Sequence, residues 1–158
     1  MIYYRHDQGG REHSIEAVRV FTATSLVAYP AGALILALGP DSLGASLAGY
    51  GLILVAMLAY APLIGSSLQR IVGENAKVLD EYELRLRGRA MSASYATFTG
   101  LALLLVLYAS IASDKGLWVP AGYEQFSGVF WGIFLYASVL PTAVLSWIVE
   151  PSFTRETP

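Results

Sequence analysis

Hydroxyl groups are the side chains that could take part in chemistry inside the long apolar stretches of this chain. They gather toward one end of the first and third stretches, where they could exchange hydrogen bonds with an uncharged ligand. One interpretation is a polar, aromatic pocket for a lipid, a quinone or a pigment. The alternative is that each hydroxyl bonds a carbonyl of its own helix, which needs no ligand. The residues that would line such a pocket are Thr22, Ser25, Ser94, Tyr95, Thr97 and Thr99.

The groups that acid–base, redox and metal chemistry require lie outside these stretches. The chain has no Cys, and its two His residues, His6 and His13, precede the first stretch. Asp41 is the only charged residue between Val20 and Gln69, and the later apolar stretches carry no charge. A charge inside a membrane span would indicate a functional site. The sequence therefore argues against a transporter built on a buried carboxylate and against a cytochrome with His ligands. It predicts a non-enzymatic protein with no catalytic residue, no metal site and no required cofactor.

The composition explains where these hydroxyls must lie. Of the 158 residues, 55% are hydrophobic and only 14% are charged, whereas roughly a quarter of a soluble domain is charged. Apolar runs of about 20 residues can cross the hydrocarbon core of a bilayer, and lipid favours helices because it offers the backbone no hydrogen bonds. The sequence predicts an all-α polytopic membrane protein. It forms a single transmembrane domain over 1–158, with four transmembrane helices at about 20–38, 43–64, 92–113 and 126–149.

Lys and Arg are unevenly distributed among the segments that connect these helices. Three lie in the arm 1–19 and five in the segment 66–91, but none lies between the first two spans and only Lys115 lies between the last two. Short cytoplasmic loops are enriched in Lys and Arg. We therefore expect both termini and the segment 66–91 to be cytoplasmic. The net charge of −2 offers no basic surface for nucleic acid.

The segment 66–91 has the pattern of an amphipathic helix. Leu68, Leu79 and Leu86 belong to a series of apolar residues at steps of three and four, and Gly73 predicts a break within it. From Val78 onward the helix is expected to continue into the third span, giving about 36 residues and about 54 Å. Its acidic and basic residues form the i,i+4 pairs Glu81–Arg85 and Glu83–Arg87.

This helix has two interpretations. It could dock a partner protein, or it could lie on the membrane surface as a linker with its Arg side chains on anionic headgroups. The two interpretations do not exclude one another. The residues that would contact a partner or a headgroup are Arg70, Tyr82, Arg85, Arg87 and Arg89.

The stretch from Leu79 to Tyr95, LDEYELRLRGRAMSASY, also carries a resemblance. It is similar to a juxtamembrane stretch of the form LDE-x-E-x-x-x-R-x-RA in small, uncharacterised bacterial four-helix membrane proteins. The resemblance covers about a tenth of the chain. It implies a bacterial inner-membrane protein and supplies no activity and no catalytic residue.

Small residues recur at steps of four along the predicted spans, and three of the spans carry the residues predicted to pack helices. Gly, Ala, Ser and Thr at this spacing allow helix backbones to approach closely in a membrane. The pair in the fourth span indicates a tight crossing, inside the bundle or between protomers. The residues predicted to pack helices are Thr24, Ala28 and Gly32, then Ser92, Ala96 and Gly100, and finally Gly128 and Gly132.

Taken together, these patterns favour an accessory or scaffold subunit, or the membrane anchor of a regulator. Such a protein acts through helix packing and through its cytoplasmic docking helix. The expected partners are membrane lipids and either another membrane protein or a second copy of the chain. The alternative function is a small homo-oligomeric transporter or channel, or a membrane protein that binds a lipid, a quinone or a pigment.

Overall fold

A computed structural model describes residues 13–73, 75 and 77–149, so residues 1–12 of the predicted arm and the tail beyond Val149 lie outside the described residues. Of the described residues, 84% are helical and none forms a strand, as the composition predicted. Four helices are long and apolar enough to cross a membrane. The helices are α1 (Ile15–Leu38), α2 (Leu43–Tyr60), α3 (Ser67–Gly73), α4 (Glu81–Lys115) and α5 (Gly122–Ile148).

The helix α1 begins five residues before the span expected from Val20, because a cap precedes it. The hydroxyl of Ser14 accepts a hydrogen bond from the backbone N–H of Ala17 at 3.2 Å, which satisfies one of the free amides of the first turn. The next helix starts in the same way, since Ser42 accepts from the N–H of Ala45 at 3.2 Å. The two caps thus fix the first residues of α1 and α2, whose positions hydropathy alone does not define sharply.

The second span, Leu43–Leu63, ends within one residue of its expected limit, but its last turn is not α-helical. The α-helix α2 stops at Tyr60, and Ala61–Leu63 forms a 3₁₀ turn with Pro62 in its first positions. Proline has no N–H to donate and its ring clashes with the preceding turn of a helix. Gly65 then takes a positive φ of 83°, which glycine adopts without steric cost. The chain turns sharply at this point into α3.

The predicted amphipathic segment 66–91 is divided between two helices. The helix α3 ends at Gly73, where a break was expected, and α4 begins at Glu81 and runs without interruption for 35 residues. Asp80 and Glu83 start it with a capping box: each side chain accepts a hydrogen bond from the other's backbone N–H, at 2.7 and 3.2 Å. At 1.5 Å per residue α4 is about 52 Å long, longer than the apolar core of a bilayer.

The spanning helices contact one another in the order α2, α1, α5, α4, and α3 packs on the ends of α4 and α5. The apolar part of α5 is the most buried, at 39%, while that of α4 is only 6% buried. The core therefore lies along α1 and α5. We call the end of the molecule that holds α3 the α3 end, and the opposite end the turn end.

Candidate functional site

The most distinctive surface of the molecule is one face of α4. Gly88, Ser92, Ala96 and Gly100 follow one another at steps of four, and all four are exposed. A Cβ added at Gly88 or at Gly100 meets no atom within 4 Å. The buried residues of this part of α4 lie on the other side of the helix: Leu86, Ala90 and Ser94. We call the four exposed small residues the α4 stripe.

The first of the other small-residue stripes packs within the chain. Gly32 of α1 is buried against α2, where an added Cβ would lie 2.6 Å from the carbonyl oxygen of Gly49. Ala28 is buried and Thr24 is half-buried on the same helix. The backbones of α1 and α2 therefore approach one another as closely as the small residues permit.

The stripe on α5 packs within the chain as well, against a single tyrosine of α1. A Cβ at Gly132 would lie 2.9 Å from the Tyr29 ring. The hydroxyl of Tyr29 also donates a hydrogen bond to the carbonyl oxygen of Gly128 at 2.7 Å. Of the three stripes that the sequence singles out, those on α1 and α5 thus make close contacts inside the chain. The one formed by Ser92, Ala96 and Gly100 does not pack on any described helix.

The α4 stripe continues into a basic surface at the α3 end. Arg85 and Arg89 are exposed, and they precede Ser92 by seven and three residues, which places them on the same side of the helix. Arg85 lies 3.8 Å from Glu81, but their side chains are 70% and 88% exposed. An ion pair so exposed contributes little to stability. The guanidinium of Arg85 therefore remains accessible to a partner.

The remaining predicted contact residues lie near this surface. Arg70 of α3 makes an ion pair with Glu83 of α4 at 3.5 Å. Besides this ion pair, Glu83 contributes to the capping box at Asp80. Tyr82 is 43% exposed, and Arg87 is half-buried. The Arg70–Glu83 contact holds α3 beside the first turns of α4.

The six residues expected to line a polar pocket are not brought together. Thr22 and Ser25 are buried on α1. The others lie on α4, where Ser94 is buried and Tyr95 is 74% exposed. The two helices do not form a packed pair. The positions on α4 are Ser94, Tyr95, Thr97 and Thr99.

The three buried hydroxyls of this set, those of Thr22, Ser25 and Ser94, bond backbone carbonyls. Thr22 donates to the carbonyl oxygen of Val18 at 2.9 Å, and Ser94 donates to that of Ala90 at 2.7 Å. Ser25 reaches across to α2 and donates to a carbonyl oxygen there at 3.1 Å. Buried hydroxyls satisfied in this way act in packing, since they have little capacity left for a ligand.

Two contacts at the α3 end were not expected from the sequence. Thr142 of α5 donates a hydrogen bond to the side-chain oxygen of Gln69 of α3. Arg19 of α1 donates from Nε to the carbonyl oxygen of Ser146 at 2.9 Å, and its guanidinium lies 4.8 Å from the centre of the Trp147 ring. For the Arg19 contact, the sequence offers one signal, a single Arg at the start of an apolar helix. It does not show that the end of α5 lies beside that Arg.

No group of three or more His, Cys, Asp or Glu side chains that could hold a metal ion occurs within the described ranges. No protein-family model, curated protein or solved structure matches this chain. The resemblance of Leu79–Tyr95 to bacterial membrane proteins therefore stays a prediction. The arrangement at hand is one of packing surfaces: a core in which α1 packs on both α2 and α5, and an open face on α4.

Proposed function

We propose that this chain is an accessory or scaffold subunit of a bacterial inner-membrane complex. In this proposal the α4 stripe docks a transmembrane helix of a different integral membrane protein. The observation that carries it is the exposure of the whole stripe, in a chain whose other two small-residue stripes are close-packed on a neighbouring helix at Gly32 and at Gly132. Close helix approach through small residues is a main source of association in lipid, where the hydrophobic effect gives none.

The charge beside the stripe indicates the chemistry of the partner. Arg85 and Arg89 extend the docking face beyond its apolar part. If two copies of α4 paired in parallel along this face, these cations would meet their own copies, and like charges at an interface are unfavourable. A transmembrane helix followed by Asp or Glu residues complements the same face. This complementarity favours a different protein over self-association.

The placement in the cell belongs to the same proposal. The five Lys and Arg residues of 66–91 support a cytoplasmic α3 end, and the resemblance of Leu79–Tyr95 supports a bacterial inner membrane. The acidic residues of the partner would then lie at the cytoplasmic end of its helix. The alternative of a transporter or channel has less support, because the buried hydroxyls of α1 already bond carbonyls.

Purification of the tagged full chain in a mild detergent, followed by native mass spectrometry, tests the proposal. We compare the unmodified chain with Ala96→Leu, which fills the stripe, and with the double change Arg85→Glu and Arg89→Glu. The matched control is Gly51→Leu, at an exposed glycine of α2 where an added Cβ meets no atom within 4 Å.

The proposal expects one membrane protein to co-purify in fixed ratio with the unmodified chain and with the Gly51→Leu variant. It expects both α4 variants to lose most of that protein, and it expects carboxylates beside the partner's contacting helix. Equal recovery with all four chains would refute the docking role of α4. A complex containing only copies of this chain would refute the choice of partner.

A further inference from the structure

A groove of about 380 Å³ runs between α2 and α5, away from the α4 stripe. Tyr29 of α1 lies in it, so the tyrosine that packs on Gly132 also forms part of the groove. Its volume is within the range of about 300–1,000 Å³ that is usual for small-molecule sites. The residues that line it are Tyr29, Tyr50, Ile53, Met57, Ser127, Gly128 and Trp131.

Three polar groups of this groove have no hydrogen-bond partner among the described residues: the hydroxyls of Tyr50 and Ser127, and the indole N–H of Trp131. Each can donate a hydrogen bond. Tyr50 and Trp131 are 64% and 49% exposed, on helices that are apolar enough to cross a membrane, so their donors are accessible to a molecule in the lipid. The buried hydroxyls of α1, in contrast, all bond carbonyls. The unused donors of the groove point to a ligand that accepts hydrogen bonds.

The polar and apolar ends of the groove are ordered along the helices. Ser127 lies about 8 Å from the start of α5, and Tyr50 lies about 10 Å from the start of α2, at 1.5 Å per residue. Met57 lies about 21 Å from the start of α2 by the same measure. The donors thus lie nearer the turn end, and the apolar part lies deeper. This order matches an amphiphile in the leaflet at the turn end, with its polar head group at the donors and its apolar tail deeper in the groove.

The lining also restricts the head group of that amphiphile. Among the residues that the structure describes, no charged side chain lines the groove, so none of them would neutralise a phosphate. The exposed rings of Tyr50 and Trp131 offer faces on which a flat ring can stack. Edge-to-face contacts orient Trp131, whose ring centre lies 5.6 Å from that of Phe130 and 5.9 Å from that of Phe134.

We propose that this groove binds an isoprenoid quinone. The two carbonyl oxygens of the quinone head accept hydrogen bonds from the side chains of Tyr50, Ser127 and Trp131, and its tail lies along Ile53 and Met57. A quinone is flat, uncharged and rich in acceptors, and it has no hydrogen-bond donor to leave unpaired. The groove is separate from the docking face on α4, so an experiment can refute the quinone site without refuting the docking proposal, and the reverse.

Quenching of tryptophan fluorescence by decylubiquinone tests the site in detergent micelles. The chain has three Trp residues, so the double variant Trp118→Phe and Trp147→Phe leaves Trp131 as the only emitter. The matched control, Trp131→Phe, keeps the two tryptophans that do not line the groove. Far-UV circular dichroism shows that each variant retains its helix content before the titration.

We expect saturable quenching with the Trp131 emitter and only a linear, non-saturating decrease with the control. Tyr50→Phe or Ser127→Ala is then added to the double variant in which Trp131 is the only tryptophan. Each change should raise the apparent Kd about fivefold, as expected for the loss of one hydrogen bond. Linear quenching in both chains, or an apparent Kd that neither change affects, would overturn the proposal.

A second measurement uses the otherwise unmodified chain. Native mass spectrometry with added decylubiquinone should show one bound molecule, and Met57→Phe should reduce its occupancy by filling the deep end of the groove. The control Leu58→Phe changes the adjacent residue, which is 62% exposed and does not line the groove. A bound phospholipid that decylubiquinone does not displace would show that the groove is a site for phospholipid, and would also overturn the proposal.

Discussion

The guanidinium of Arg19 donates a hydrogen bond to the carbonyl oxygen of Ser146 across 2.9 Å and so joins the first turns of α1 to the last turn of α5. It also reaches the carbonyl oxygen of Val149 at 3.4 Å. The last carbonyls of a helix have no partner within that helix and carry partial negative charge. The single cation of α1, Arg19, thus links the start of α1 to the end of α5, the two helices that form the core.

Replacing Arg19 tests this contact. Arg19→Ala should lower the free energy of unfolding by about 2 kcal/mol, since hydrogen bonds to charged groups contribute about 1.5–3 kcal/mol. Arg19→Lys should recover only part of it, because an ammonium cannot reproduce the planar fork of the guanidinium. Unfolding in mixed micelles, followed by circular dichroism, measures both. The control Arg85→Ala removes an exposed ion pair and should cost under about 1 kcal/mol. Equal losses at the two positions would contradict the contact.

The crossing of α1 and α2 makes Gly32 sensitive to a single methyl group. In Gly32→Ala the new Cβ would lie 2.6 Å from the carbonyl oxygen of Gly49, so the helices must separate, at a cost of about 1–3 kcal/mol. In Gly51→Ala the Cβ meets nothing within 4 Å, and the substitution should stabilise the helix by about 0.5–1 kcal/mol. The same unfolding assay should give opposite signs. A loss of stability in both variants would show that the crossing is not the cause.

The hydrogen bond from Thr142 to Gln69 should appear as a coupling between α3 and α5. Gln69→Leu and Thr142→Val each remove one partner, and contacting residues usually couple by about 0.5–3 kcal/mol. We expect the double variant to lose less stability than the sum of the two single changes. Losses that add to within about 0.3 kcal/mol would mean that α3 is not held on α5 by this bond.

The features that the sequence predicted correctly depend on local signals. Runs of apolar residues gave the spans, and Gly73 marked the end of α3 as expected. Caps and prolines set where each helix begins and ends around these spans. Ser14 starts α1 ahead of the span that begins at about Val20, and Pro62 makes the last turn of the second span a 3₁₀ turn.

The contacts that build the site depend on distant parts of the chain. Tyr29 and Gly128 are separated by 99 positions, and hydropathy does not distinguish a residue that faces lipid from one that faces another helix. For the same reason the pattern of small residues located three candidate seams without showing which would be open. The predicted polar pocket failed to assemble because Thr22 and Ser94 lie on helices that do not pack together.

Site-specific photocrosslinking from the α4 stripe in native membranes tests the docking proposal most directly. A benzophenone side chain replaces Ala96 in one chain and, as the control, Leu105 in another. Leu105 lies nine residues further along α4, which is two and a half turns and so the opposite side of the helix, and it is 53% exposed. We predict an adduct with one other membrane protein from position 96, and no adduct with that protein from position 105. No protein adduct from position 96, equal adducts from both positions, or an adduct of two copies of this chain would contradict the proposal.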